Sequence, residues 1–329
     1  MSPVLDAVII GGGPAGLTAA LYLARFRREF RLVDSGASRA EWIPSSHNIP
    51  FFEAGIPGPE IIARARSNVA AYGVHPLRGK ARSLLREDDL FAVRVEDETG
   101  EAHHLRARCI LLATGSVDVE PDLPDLPDAV RRGLVRYCPI CDGYEARGKR
   151  IAVISQDVRG LGEAAFIART YSSDVTLLTL GHHLVLSTEE RALAARHGIR
   201  IIEDPVTRMV LSDGRIAAVT SAGVDRRYDV LYSALGLQYR SELAIELGAE
   251  HMPSGALIVD EHCQTSVPRL FAAGDIVRGV DQIIVGMGHA AVAATRIHNT
   301  CDTARRCDVN GGRIPGRCGG AKAGHWFAA

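Results

Sequence analysis

The chain is short of lysine, aromatic residues and net charge, and the last of these shortages closes a class of function. Only Lys80, Lys149 and Lys322 are lysines, and aromatic residues make up 5%. The 38 basic residues are met by 39 acidic ones, for a formal charge of −1. No basic field is available to hold phosphates, so no nucleic-acid partner is expected. No apolar run approaches the ~18–20 residues of a membrane span, so no membrane partner is expected either. The N-terminus has no basic stretch ahead of its apolar run and does not read as a secretory signal. Seven cysteines, an odd number in a chain of 329 residues, argue against a secreted disulfide framework. The expectation is a cytoplasmic protein in which a paired Cys motif is chemical rather than structural.

With 47% hydrophobic and 23% charged residues, the composition is that of an ordinary globular protein. Its length exceeds the ~250–300 residues at which single cores stop growing, so two domains are expected. Val4 to Ile10 reads as a buried strand, Pro14 to about Arg27 as a helix, and Phe30 to Val33 as a second strand ending at Asp34. That is one βαβ unit. Leu90 to Val95 alternates with a period of two, and Cys109 to Ala113 is a further strand stopping at Thr114-Gly115. The proline-spaced stretch from Pro121 to Asp128 reads as an extended connector. After it, Arg150 to Ile154, Gly160 to Tyr171 and Asp174 to Leu178 repeat the strand–helix–strand order, which suggests a second Rossmann-like half. Leu270 to Ala273 is a strand, and Gly286 to Asn299 a helix of small residues. The Gly-, Arg- and Cys-rich tail from Cys301, with Trp326 and Phe327 near its end, is expected to be poorly ordered.

Two motifs carry chemistry. Gly11-Gly12-Gly13-Pro14-Ala15-Gly16 lies between a strand and a helix, as a dinucleotide finger requires. Gly11 allows the tight turn, Gly13 the approach of a pyrophosphate, and Gly16 close helix–strand packing. Asp34 stands where a carboxylate accepts from a ribose hydroxyl, implying FAD or NAD rather than a 2′-phosphorylated ribose. The second motif is Cys138-Pro139-Ile140-Cys141, whose spacing allows a disulfide across one turn. Half a zinc site or two core thiols are the alternatives. Zinc wants a second ligand pair, and Cys301, Cys307, Cys318 and His325 are irregularly spaced, so no metal is expected. Asp142 follows directly, as a proton donor and acceptor or as a helix cap.

The finger, Ala113-Thr114-Gly115, Cys138-Pro-Ile-Cys-Asp-Gly143 and Thr265-Ser-Val-Pro-Arg-Leu-Phe-Ala-Ala-Gly274-Asp275 resemble, in order, the low-molecular-weight thioredoxin reductases. The resemblance covers roughly residues 4–300. It implies an α/β fold of two Rossmann-like three-layer domains, the second inserted into the first. The FAD-binding domain would comprise 1–117 and 246–300, and 118–245 would be an NADPH-domain-like insertion carrying the cysteines. The resemblance places the FAD pyrophosphate at Gly11, Gly13 and Gly16, with Pro14 and Ala15 between. It also implies a ribityl contact at Asp275 beside Gly274, and contacts to FAD from Asn48 and Gln282 as well as Thr114 and Gly115. Cys141 would face the flavin, Cys138 would exchange with substrate, and Asp142 would handle protons. A homodimer is implied too.

The second nucleotide finger departs from the family. Where it has glycines, this chain has Ser155, Gln156 and Asp157; Gly160 and Gly162 fall late, where the helix should have begun. The basic cluster expected after the next strand is replaced by Leu178-Thr-Leu-Gly-His182-His183, weak phosphate binders near neutral pH. The expectation is therefore a FAD-dependent dithiol–disulfide oxidoreductase for which NADPH is a doubtful donor. Its partner would be a thioredoxin-like protein or a small dithiol, with a ferredoxin or a flavin as possible donor. The rival readings are an NADPH-dependent thioredoxin-disulfide reductase, an O2-dependent small-molecule dithiol oxidase and a non-catalytic flavin redox sensor.

Overall fold

The computed structural model describes residues 3–212 and 214–309. Uninterrupted apolar runs become strands covered on both faces, as parallel sheets require. Strand β1 (Val4–Ile10) ends in five buried residues. Helix α1 (Pro14–Arg25) and strand β2 (Phe30–Asp34) complete the first βαβ unit, with Ile10 opposite Val33 in parallel register. After α2 (Gly58–Ala70), the strands β3 (Leu77–Glu87), β4 (Leu90–Asp97) and β5 (Ala102–Leu112) form an antiparallel meander. β5 then runs parallel to β1 on its other side, Ile10 opposite Leu112.

The chain leaves this sheet through β6 (Ser116–Asp118). The connector becomes helical at its end, in α3 (Leu126–Arg131). Strand β7 (Val135–Arg136), the short helix α4 (Pro139–Asp142), strand β8 (Ile151–Ile154), helix α5 (Arg159–Thr170) and strand β9 (Val175–Leu178) follow. Next come α6 (Thr188–Arg196), β10 (Arg200–Ile202) and an antiparallel trio, β11 (Val206–Ser212), β12 (Arg215–Thr220) and β13 (Asp225–Tyr228). β14 (Val230–Ser233) closes a second, all-parallel sheet of order β10-β9-β8-β14-β7. The return strand β15 (Leu237–Tyr239) pairs with β6, so exit and re-entry lie side by side. After α7 (Glu242–Ile245), β16 (Leu270–Ala272) adds to β5 in parallel, and α8 (Ile283–Val309) packs across α1.

Each sheet has apolar clusters on both faces: Ala7, Ile9 and Leu111 against Val8, Ile10 and Leu112 in the first, Ala152 and Ile154 against Ile151 and Val153 in the second. The protein is thus two three-layer α/β units, the second inserted into the first. One expectation is corrected. Residues 301–309 are not a loose tail but the last turns of α8. Nothing between Gly288 and Gly311 is a glycine or proline to stop the helix, and Ala290, Ala294, Ile297 and Cys301 bury one face of it. Cys318, His325, Trp326 and Phe327 lie outside the described residues.

Candidate functional site

β1, β2, β5 and β16 run in parallel register and end at one edge of the first sheet, where ligands of open α/β sheets bind. The loops that follow them open onto a cavity of about 790 Å3, a size typical of cofactor sites. Every residue expected in the site lines this cavity except Gly16, which packs behind it.

The first finger is built so that only glycine serves. Gly11 has φ +115°, and a Cβ there would lie 2.2 Å from the Ala113 carbonyl oxygen. A Cβ on Gly16 would lie 1.8 Å from the Gly11 carbonyl oxygen. Gly12, to which the sequence assigned no role, has the Asp34 carboxyl carbon 2.2 Å from its would-be Cβ. Gly13 is the N-cap of α1 without a side-chain cap, and Pro14 has no N–H. The first-turn donors beyond them are left for an anion. These residues fit the pyrophosphate of a dinucleotide. Gly16→Ala is accordingly expected to force the loop away from its seat. The expected result is loss of most retained FAD on gel filtration and a destabilisation of about 1–3 kcal/mol, the usual cost of overpacking. Stoichiometric FAD in that variant would contradict this seat for the cofactor.

Asp34 is buried at the end of β2. Its Oδ1 accepts from Gly36 N at 2.9 Å, and its Oδ2 from Arg66 Nη2 at 3.2 Å and Arg78 Nη1 at 3.1 Å. Neither arginine was foreseen. Another unforeseen residue, Arg39, clasps Asp118 with two bonds of 2.6 Å and reaches Asp275 at 3.0 Å, tying the expected ribityl residue to β6. The Thr114 hydroxyl donates to the Arg240 carbonyl at 2.6 Å, just past β15, while Gly115 takes a left-handed φ of +68°. Gly274 passes so close to α1 that a Cβ there would stand 3.1 Å from that of Ala15. Asp281, also on the cavity, is pushed up to about 6 by burial, with Asp275 adding repulsion.

Cys138 and Cys141 form a disulfide with a Cα–Cα distance of 5.3 Å. Pro139 starts α4 and Cys138 caps it, its Sγ accepting from Cys141 N at 3.2 Å. Gln282, at the foot of α8, donates from Nε2 to Cys141 Sγ at 3.1 Å and Cys138 Sγ at 3.3 Å. Its Oε1 accepts from Asn48 Nδ2 at 2.7 Å, and Asn48 Oδ1 accepts from the Ser46 hydroxyl at 2.9 Å. Two residues 234 apart in sequence thus meet at the disulfide. Asp142 is fastened from behind: Tyr232 donates to Oδ1 at 3.0 Å, and Arg136 Nη1 lies 3.2 Å from Oδ2 and 2.6 Å from the Asp142 carbonyl oxygen. Burial raises the Asp142 carboxyl above the ordinary aspartate range, against the pull of Arg136 and Tyr232.

The second finger differs. Gly160 is not misplaced: it sits five residues after Ser155, as Gly16 does after Gly11, and a Cβ there would meet Ser155 Cβ at 2.2 Å. The third glycine of the pattern therefore survives. The first two do not, and Ser155 lacks the left-handed φ that Gly11 has. Asp157 takes the donor at the start of α5 for itself, its Oδ1 accepting from Arg159 N at 2.9 Å, and it pairs with the Arg159 guanidinium at 2.6 Å. A carboxylate thus stands where a nucleotide phosphate would bind. After β9, His183 is tied to Glu203 at 2.7 Å.

The family model described as pyridine nucleotide-disulphide oxidoreductase matches residues 5–295. The chain is 32% identical over 283 residues to "Thioredoxin reductase tcpT" of Claviceps purpurea, covering 83% of this chain and 87% of that one. It is 28% identical over 298 residues to "NADH dehydrogenase" of Bacillus subtilis, covering 88% of this chain; it spans only 57% of that relative's length. The solved structure of HlmI superposes with a TM-score of 0.82 at 28% identity, over 93% of this chain and 96% of HlmI.

Proposed function

The chain belongs to the pyridine nucleotide-disulphide oxidoreductase family, an enzyme family whose cofactor is FAD, and on that premise we propose that it is a FAD-dependent dithiol–disulfide oxidoreductase whose electron partner is not NADPH. The observation that carries this reading is the Cys138–Cys141 disulfide held by Gln282 and Asn48 in the same cavity as the complete first finger. Gly11, Gly13, Gly16 and Asp34 would hold the nucleotide part of FAD, with Asp275, Asn48 and Gln282 nearer its reacting end. Bound FAD supplies a two-electron carrier beside the disulfide.

In this reading Cys138 exchanges with the substrate. The Cys141 amide donates to its sulfur and favours the thiolate. Gln282 keeps both sulfurs in the cavity, and Asp142, half-buried and held by Arg136 and Tyr232, gives and takes the proton. The substrate is a thioredoxin-like protein or a small dithiol, and the donor, when the enzyme works as a reductase, a reduced ferredoxin or another flavin. The name "Thioredoxin reductase tcpT" favours a thioredoxin-disulfide reductase as second reading, and the surviving Gly160 supports NADPH as its donor; Asp157 at the start of α5 weighs against that donor. A homodimer is the proposed assembly, and the exposed Ile284, Met287 and Val292 along α8 support it. Purified protein is expected to carry one FAD per chain, and anaerobic addition of a small dithiol to bleach its flavin band. A fully loaded protein that no dithiol bleaches would contradict the proposal.

A further inference from the structure

Arg39 belongs to none of the sequence motifs, yet it joins three segments of the chain at the cofactor cavity. It opens the short 3-10 turn Arg39–Trp42, which follows β2. The residue before it, Ser38, lies against the finger: a Cβ on Gly13 would stand 3.2 Å from its Oγ. From this turn the guanidinium reaches in two directions. Nε and Nη2 donate to the two oxygens of Asp118, each at 2.6 Å, and Nη1 donates to Asp275 Oδ2 at 3.0 Å. All three side chains line the cavity and are mostly buried. Asp118 has no part in the chemistry proposed above. Set on β6 opposite Leu237 of β15, it is a fixed anchor for the guanidinium. Asp275 Oδ1 has no hydrogen-bond partner among the described residues. A carboxylate that gives one oxygen to a clamped guanidinium holds the other in a set direction.

We propose that Arg39 is a positioning residue for the cofactor: clamped by Asp118, it holds Asp275 Oδ2 and so aims Asp275 Oδ1 at a hydroxyl of the ribityl chain of FAD. The inference rests on the FAD seat proposed above. It divides the labour within that seat. The glycine finger holds the ADP half of the cofactor, and Asp118, Arg39 and Asp275 serve the flavin half. Lysine would not do the same work, since an ammonium on a flexible stem lacks the planar fork that meets two carboxylates at once in fixed directions.

The test is a binding measurement on the full-length protein stripped of its flavin. It is titrated with FAD, followed by flavin fluorescence, and with ADP, which carries only the half that the finger holds, followed by calorimetry. Arg39→Ala and Asp275→Ala should each weaken FAD on the order of tenfold or more and leave ADP binding unchanged. The double variant should bind FAD no more weakly than Asp275→Ala, because Arg39 acts through that carboxylate. Arg39→Lys, which keeps the charge and loses the fork, should stay as weak as Arg39→Ala. Asp118→Asn, which loosens the clamp and leaves Arg39 and Asp275 in place, should weaken FAD while sparing ADP. Additive losses in the double variant would mean that Arg39 meets the cofactor itself, and full recovery by lysine that charge alone matters; either overturns the positioning role. An equal loss of FAD and ADP in both Arg39→Ala and Asp118→Asn overturns it too, as the mark of a merely structural clasp. Wild-type affinity for FAD in Arg39→Ala would overturn this inference alone, whereas a wild-type chain that takes up no FAD would sink the proposed function and the inference together.

Discussion

Cys138→Ser is expected to yield a protein that keeps its FAD, shows a new long-wavelength absorption band and turns over on the order of a thousandfold more slowly or worse. With Cys138 gone, Cys141 remains as a free thiol within 3.1 Å of Gln282 Nε2 in the cavity that the finger lines. If FAD sits as proposed, a thiolate in that place would lie against the oxidised flavin and give the band. Cys141→Ser is expected to differ in kind. Cys138 then stands alone at the cap of α4, beside the exposed Ile140. It should react readily with alkylating reagents and give no band. Both variants should stop turnover, because dithiol exchange needs two sulfurs to close the disulfide again. Identical spectra and equal alkylation in the two variants would sink the division of labour between the cysteines.

What could be read from the sequence was decided by how local the constraint was. The first finger was legible because three of its positions admit only glycine, and strand, loop, helix and acid follow one another within Val4–Asp34. The disulfide was legible from a spacing of three. The β3–β4 pair was only half visible: exposed and buried residues alternate irregularly along β3, and a register shift between Ala81 and Ser83 breaks the period. α8 was read short at both ends, because its small buried residues fade into a polar C-terminal stretch with no breaker.

The supports of the site were less visible, since they come from distant segments. Tyr232 reaches Asp142 across 90 residues and Arg39 reaches Asp275 across 236, and no spacing rule marks such pairs. Gly160 was misjudged by counting from the lost glycines rather than forward from Ser155. The resemblance to the reductases supplied Asn48 and Gln282, which composition and periodicity do not distinguish, and the structure brings Gln282 to the disulfide and Asn48 to Gln282.

The second large effect concerns the electron partner. Hydride transfer needs the nicotinamide held against the flavin, and that positioning is supported by binding energy from the remote phosphates. In this chain a pyrophosphate would meet Ser155 in place of a left-handed glycine, and the Asp157 carboxylate already occupies the first donor of α5. Where arginines would hold a 2′-phosphate, the chain offers His183, held by Glu203. Each missing charge-assisted contact costs about 1.5–3 kcal/mol, so together they predict an affinity weaker by several orders of magnitude. Anaerobic stopped-flow mixing of the FAD-loaded protein with micromolar NADPH, followed at the flavin band beside a parallel run with a small dithiol, tests this most directly. The flavin should stay oxidised long after mixing with NADPH and bleach with the dithiol; complete bleaching by NADPH within the mixing dead time would contradict the account.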